Sequence, residues 1–486
     1  MQKNIFILGG GISGLTAAYF LQKRVLGSSL RLIEKTSHLG GWIKTKNEQG
    51  FIFEMGPRLF KTTSSAALLE LIEELRMEED LVIVPKKAEK KWVFSAGKIE
   101  PFFKKKWRGF FPFIKELYTP IPAIQEEESV GQFFRRHFGD RLTQELIDPF
   151  CVGVTGGDMD TLSVEACFGY LKVLEKKYGS IVKGMWKERK KAKQQFFSLK
   201  KGMQSLVEKL RSKIEGELIL EEEILFLKPL PFSEKIEIHT TKQTYQADHV
   251  ISALPASVLA KLVDPEFSTL QYKSIYLVHL GYKKSQRKFP YQGLGYLVPR
   301  KEKQALLGVL WDSLMFPNLN QKEGEIRITC LLDAHLLEKE QAEAVALQSL
   351  KEQMGWEQKP CYQTSYVLEN AFPQPAPGHM AWAQKLQERC KARFPQLYFT
   401  GNFWTSASVN SCIEKSKSIA ETIALVSITM RCISANSSTF LLSNFNTFGH
   451  SAVASTESSV MANVCQIVSV TNGANGCASI NTLSST

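Results

Sequence analysis

The chain has 486 residues, of which 44% are hydrophobic and 23% charged. That is enough apolar material for a large core in two or three domains, and too much for a disordered protein. A formal net charge of +12 asks for an anionic partner, which could be nucleic acid, an acidic membrane surface or an acidic substrate. No nucleic-acid module is found, so the last two lead. The nine cysteines are scattered, with no Cys-x-x-Cys pair and no His–Cys ligand spacing; they read as reduced thiols of a cytosolic protein, with no metal. No run approaches eighteen uninterrupted apolar residues, and the N-terminal apolar run breaks at Gly9. Export and membrane spanning are therefore not expected.

Ile5-Phe6-Ile7-Leu8 reads as a strand, Gly9-Gly10-Gly11-Ile12-Ser13-Gly14 as a glycine turn, and Leu15, Ala17, Ala18, Phe20 and Leu21 as the start of a helix. Gly9, Gly11 and Gly14 stand at the G-x-G-x-x-G positions, where a side chain would block the tight turn, the approach of a pyrophosphate, or helix–strand packing. A second strand, Leu30 to Ile33, ends in Glu34, twenty residues after the last glycine. Its carboxylate is placed to accept both hydroxyls of an unphosphorylated adenosine ribose. Just beyond come Lys35, then Gly40-Gly41-Trp42, then Gly56-Pro57-Arg58. A domain that binds NAD has no use for this second glycine pair.

Ser64 to Met77 has the spacing of a helix with one buried face, and Leu81 to Val84 that of a strand end. Lys90 to Pro101 reads as a small hairpin that leaves the nucleotide domain. From Phe102 to Ile124 aromatics alternate with lysines, which suits either an element at a membrane interface or a helix packed within a helical insert. Helical stretches follow from Glu128 to Phe150. Gly153, Gly156 and Gly157 then imply either close approach to something flat or bulky, or a helix–helix turn. Lys183 to Lys193 reads as a solvated basic helix face. Phe196 to Leu206 is a strand, a glycine turn and a helix, and Asp248 to Pro255, which contains Ala253, is a buried strand. Ile275–Tyr282, Gly293–Val298, Ala305–Leu310 and Ile326–Leu332 read as one sheet with the Ala342–Met354 helix against it. Leu397 to Asn402 and the helix start at Ser408 form a second element suited to an anion. Ser434 to Thr486 is rich in Ser, Asn, Thr and Ala and reads as a disordered tail.

Gly40-Gly41-Trp42 and Gly56-Pro57-Arg58 resemble the segments that wrap the pyrophosphate and lie against the flavin in the flavoprotein amine-oxidase superfamily. The run from Ser129 to Gly139, Asp148-Pro149-Phe150 and Gly157-Asp158 with Leu162-Ser163 resemble the helical insert of oxygen-dependent protoporphyrinogen oxidases. Gly401-Asn402 and Val409-Asn410-Ser411-Cys412-Ile413-Glu414 resemble the way that family closes its flavin domain. The resemblance implies an α/β fold: a discontinuous Rossmann-like FAD-binding domain (residues 1–85, 196–270 and 393–426), a helical, membrane-facing insert (86–195) and an α+β substrate-binding domain (271–392), with a tail at 427–486. It implies non-covalent FAD held by Gly9, Gly11, Ile12, Ser13, Gly14, Glu34, Lys35, Gly40, Gly41, Trp42, Gly56, Pro57, Arg58, Ala253, Gly401, Asn402, Val409, Asn410 and Ile413.

The activity so implied is oxidation of protoporphyrinogen IX to protoporphyrin IX by dioxygen, with release of hydrogen peroxide, in haem biosynthesis. No protein base or metal is needed, since the flavin carries the redox chemistry. The family's propionate-binding arginine falls at Lys91, where lysine gives a point charge in place of a fork; a solvated hairpin lysine is the other reading. Leu294 on one side and Gly156 or Gly157 on the other are the expected walls for the ring. Coproporphyrinogen III as substrate, a flavin amine oxidase, and a non-enzymatic nucleotide-binding scaffold at a membrane surface remain the alternatives. The expected location is the cytoplasm, peripherally on the inner face of the cell membrane. An anionic membrane surface is the expected partner, with neighbouring haem-pathway enzymes and a homodimer left open.

Overall fold

The Asn4–Leu8 strand is apolar after its first residue, and Ile5, Phe6, Ile7 and Leu8 are fully buried, as in a strand covered on both faces. It lies in the middle of a five-stranded sheet in the order Glu217–Ile219, Ser29–Ile33, Asn4–Leu8, His249–Ser252, Leu397–Phe399. Every pairing in this sheet is parallel. Alternation along the central strand sends Ile5 and Ile7 into one core with Leu15, Leu68, Leu206 and Ile413, and Phe6 and Leu8 into a second core with Leu259, Phe267 and Leu386. The computed structural model describes residues 2–102, 111–118, 126–188, 194–283, 289–404 and 406–434. It divides into a unit of residues 1–424 and a second unit from 425 onward.

The chain leaves the nucleotide sheet and returns through Phe196–Leu199, which pairs antiparallel with Phe60–Lys61 on one side and Leu81–Ile83 on the other. Between these points lies the insert, whose described helices are Phe111–Tyr118, Val130–Phe138, Asp148–Thr155, Val164–Tyr178 and Ile181–Lys187, joined by short helical turns. Ser129 and Gln132 close a capping box at the second of these, and Ser163 and Ser180 cap the fourth and fifth. Phe133, Phe138, Leu142 and Leu162 form the insert's own core. The rest of the aromatic and lysine-rich stretch, and the basic run at 189–193, lie outside the described residues.

The second sheet has seven strands, in the order Tyr362–Gln374, Gln271–Tyr282, Ile326–Asp333, Leu306–Leu310, Gly295–Leu297, Lys91–Ser95, Lys98–Pro101. Four features differ from the sequence expectation. The hairpin at 91–101 belongs to this sheet and not to the insert, because Lys91, Trp92 and Val93 pair in parallel with Gly295, Tyr296 and Leu297. The edge strand Tyr362–Gln374 was not expected at all. The helix His379–Arg393, placed by sequence in the substrate domain, buries Ala383, Leu386 and Cys390 in the second nucleotide-domain core. The closing helix, Val409–Ser434, also runs past the boundary expected near residue 427; residues 435–486 of the expected tail lie outside the described residues. Among the described residues no helix is long and apolar enough to cross a membrane.

Candidate active site

Gly9, Glu34, Ala253 and Gly401 follow the carboxyl ends of four neighbouring parallel strands, on both sides of the central one. This is the edge where open α/β sheets bind ligands, at the point where strand order reverses. A Cβ on Gly14 would lie 1.9 Å from the Gly9 carbonyl oxygen, so the helix approaches the strand only because this residue has none. The two glycine segments meet: the Gly40 N–H donates to the Gly10 carbonyl at 2.8 Å, and the sole atom near a would-be Gly11 Cβ is the Gly41 Cα, at 3.9 Å. The Ile12–Arg24 helix starts at Gly11 with no side-chain cap and no acid in its first turn. The N–H groups around Ile12, Ser13 and Gly14 thus remain for an anion.

Glu34 accepts from the Gly10 N–H at 2.8 Å through one oxygen, and from the Thr36 N–H and hydroxyl at 3.0 and 2.9 Å through the other. This fixes the carboxylate at the mouth of the loop, with Lys35 exposed beside it. An uncapped helix start, an open slot between two glycine backbones and an oriented acid fit the adenosine diphosphate portion of FAD. Ala253 extends the sheet by donating to the Leu8 carbonyl, and its own carbonyl lies 3.3 Å from the position a Gly9 Cβ would take.

Several of the expected cofactor residues also make contacts within the protein. A Cβ on Gly56 would lie 1.9 Å from the Trp42 carbonyl, so Gly56 lets the Gly56-Pro57-Arg58 segment lie against the Trp42 backbone, whose own side chain is partly exposed. The buried Arg58 guanidinium donates to Asp312 at 3.0 Å, to Thr329 at 2.9 Å and to the Glu54 carbonyl at 2.6 Å; it ties the nucleotide domain to the substrate sheet. Asn410 accepts from the Leu68 N–H and donates to Glu414, Asn402 donates to the Ala371 carbonyl, and Val409 and Ile413 are core residues. These hydrogen bonds of the Arg58 and Asn410 side chains brace the segments that carry them.

Sequence reasoning missed the network around Arg58. Asp312 also accepts from the Thr329 hydroxyl at 2.6 Å, and His279 lies 3.0 Å from that hydroxyl. Burial, then the charges of Arg58 and Lys46, push His279 well below its ordinary pKa and keep it neutral. Glu54 accepts from the Met203 N–H at 2.8 Å, but burial outweighs this and raises its carboxyl to about 7. The available sequence signal was a charge ending an apolar strand in Leu310-Trp311-Asp312.

On the substrate side, Gly156 ends the Asp148–Thr155 helix in a left-handed conformation, φ 65°, and lies over Ile275. A Cβ on Gly157 would overlap Gln374. The glycine loop therefore rests on one end of the large sheet. Leu294 precedes the fifth strand, Gly295–Leu297, beyond the strands Ile326–Asp333 and Leu306–Leu310; three strand spacings, about 14 Å, separate it from Ile275 across the sheet. Leu294 is buried among Val82, Val84, Met315 and Phe316. Lys91 starts the neighbouring strand and is exposed; the partial burial of its ammonium, then the charge of Lys61, lower its pKa.

The model of the family described as flavin containing amine oxidoreductase matches residues 12–424. The chain belongs to this family. It is an FAD-dependent oxidoreductase. Among similar proteins of this flavin oxidase, protoporphyrinogen oxidase from Bos taurus is 27% identical, covering 86% of this chain and 98% of its own length. Coproporphyrinogen III oxidase from Bacillus subtilis is 26% identical, covering 86% and 97%. A crystal structure of an Exiguobacterium protein, described as a candidate protoporphyrinogen oxidase, has the same fold with a TM-score of 0.77 at 24% identity, covering 87% and 99%.

In this flavin oxidase the insert holds a buried ionic cluster. His137 lies 3.0 Å from Glu116 and 3.1 Å from Glu175. Glu116 also accepts from the Ser180 hydroxyl at 2.6 Å and the Ile181 N–H at 2.5 Å, and Glu175 is bound by Arg136 and Lys172. Burial opposes the charge of Glu116, but the hydrogen bonds from His137, Ser180, Ile181 and Val182 hold its carboxyl below the ordinary value. Around this cluster Phe111, Ile114, Tyr118, Met185 and Trp186 are exposed.

Proposed function

We propose that this flavin oxidase oxidises a porphyrinogen, protoporphyrinogen IX before others, to the porphyrin, with dioxygen as acceptor and hydrogen peroxide as by-product. The observation that carries this reading is the joining of the 91–101 hairpin to the seven-stranded sheet. It brings a cation, Lys91, to the end of a broad surface whose other end is covered by the Gly156-Gly157 loop. A large, flat, acidic substrate is what such a surface accepts. FAD supplies hydride acceptance and reaction with oxygen. The chain's own part is to hold the ring flat, bind a carboxylate at Lys91, and brace the Gly56-Pro57-Arg58 segment through Asp312 and Thr329. The named relatives support the class, and the match to coproporphyrinogen III oxidase supports coproporphyrinogen III as the second reading.

The reading includes a cytoplasmic location on the inner face of the membrane. Its support is the exposed Phe111, Ile114, Tyr118 and Trp186 of the insert, near Lys183 and Lys187, a composition suited to an anionic lipid interface. Anaerobic mixing of the FAD-loaded protein with protoporphyrinogen IX, and separately with coproporphyrinogen III, tests the chemistry through loss of the visible flavin band. Faster bleaching by protoporphyrinogen is expected. Faster bleaching by coproporphyrinogen moves the assignment to the second reading, and bleaching by neither rejects the class of substrate.

A further inference from the structure

The strand Ile326–Asp333 begins beside a cavity of about 160 Å³. Phe289, Trp311, Leu314, Asn320, Glu325 and Arg327 form most of its wall, and none of its lining residues is among those assigned above to the flavin or the tetrapyrrole. An apolar cavity of about 150 Å³ takes up one benzene ring, so the space suits a ligand of that size. Trp311 cannot swing to fill it, because the Tyr291 ring stacks on it at 5.3 Å and Phe289 meets it edge-on at 5.7 Å.

Buried polar groups are nearly always hydrogen-bonded, and two on this wall are not. Trp311 is 1% exposed and the Glu325 side chain 4%, yet the Trp311 Nε1 and the Glu325 Oε1 have no hydrogen-bond partner in the protein. The other oxygen of Glu325 accepts from the Gln321 and Lys322 N–H groups at 3.1 and 3.2 Å, which fixes the carboxylate. The Arg327 Nε, 3.6 Å from Oε1, gives its one hydrogen to the Asn320 Oδ1 at 3.0 Å. That Oδ1 also accepts from the Ser313 hydroxyl at 2.9 Å, so the Asn320 amide nitrogen is a second donor at the cavity.

Charge decides which ligand fits. The Glu325 carboxylate and the Arg327 guanidinium offset each other, so an organic cation gains little from the field and an anion meets Glu325. A neutral molecule is favoured, and it must donate to Glu325 while accepting from Trp311 or Asn320. A single hydroxyl oxygen does both, and an aromatic ring behind it matches Phe289 and Leu314.

We propose that this cavity is a binding site for a small neutral aromatic hydroxyl compound, one ring in size. Its hydroxyl donates to the Glu325 Oε1 and accepts from the Trp311 Nε1, and its ring lies against Phe289 and Leu314. The site is independent of the porphyrinogen reading.

The test uses the FAD-loaded protein, with para-fluorophenol and its methyl ether, para-fluoroanisole, as probes followed by fluorine NMR. The ether keeps the ring and the acceptor but has no hydrogen to donate. Wild type should bind the phenol about tenfold more tightly than the ether, and saturating protoporphyrin IX should displace neither. Two variants, Glu325→Gln and Leu314→Phe, are first checked for wild-type flavin content and melting temperature. In Glu325→Gln the amide oxygen is held by the Gln321 and Lys322 N–H groups, so a donor replaces the acceptor at the cavity; the phenol should weaken about tenfold and the ether stay unchanged. Leu314→Phe fills the ring's place and should abolish binding of both. Failure of the wild type to bind the phenol at millimolar concentration overturns the site, as does equal binding of phenol and ether. A preference for the phenol that survives in Glu325→Gln, binding that survives in Leu314→Phe, or displacement by protoporphyrin IX also overturns it. Should Glu325→Gln lose its flavin, the wild-type comparison of phenol with ether and the Leu314→Phe variant still decide.

Discussion

At the nucleotide edge the working groups are main-chain atoms; in the helical insert they are side chains paired across helices. The first region is built from N–H groups left free by an uncapped helix and from glycines that let backbones touch. The second depends on Glu116, His137 and Glu175 reaching one another from three helices. Damage to the first should therefore remove the cofactor, and damage to the second should remove stability.

The largest effect is expected from Gly14→Ala, whose Cβ must push the Gly9 carbonyl away. Purified protein should carry little flavin, with FAD affinity lowered more than about a hundredfold, read by fluorescence titration. Gly27→Ala is the control: nothing lies within 4 Å of its Cβ, so the only expected cost is the strain of an alanine at positive φ, about 1 kcal/mol, with flavin content unchanged. Next is Glu116→Leu, which leaves His137, Ser180 and the start of the Ile181–Lys187 helix without their acceptor. A loss of about 3–5 kcal/mol in urea unfolding is expected, with flavin content per folded molecule unchanged. Loss of flavin in step with stability would show that the two regions are coupled more tightly than their separate cores suggest.

The comparison sharpens with pH. Glu54 titrates near 7 in the folded protein against an ordinary 4.5, so the fold favours its protonated form. Its contribution is present in acid and is lost as pH rises from about 4.5 to about 7, by about 3 kcal/mol. Glu116, held below 4.5, acts in the opposite sense and loses its contribution as pH falls through its folded value. Glu54→Gln should flatten the slope of stability between pH 5 and pH 7.5 in urea titrations; an unchanged slope would place the titrating group elsewhere.

Legibility in the sequence follows the same division. The Gly9–Gly14 turn, Glu34 and the buried 249–252 strand could be read because local backbone demands select residue types at fixed spacing. The joining of Lys91 to Gly295 spans some two hundred residues and leaves no local trace. The Tyr362–Gln374 edge strand stays half exposed along much of its length and carries Pro373, so it lacks the alternation that marks a strand. The partners of Arg58, Asp312 and Thr329, are supplied by a distant part of the chain. His137 likewise meets Glu116 and Glu175 only through the packing of three helices.

The order of strands in the nucleotide sheet also bears on how the molecule is made. Asn4–Leu8 is flanked by a strand from residues 29–33 and by one from 249–252, and the last strand arrives only at 397–399. At about 5–20 residues per second, roughly 20–80 s separate synthesis of the glycine turn from synthesis of the strand that completes its sheet. Throughout that interval one edge of an apolar strand has no neighbour, and pairing with the same strand of another nascent copy competes with folding. On the ribosome, then, the glycine turn is made long before its sheet can close.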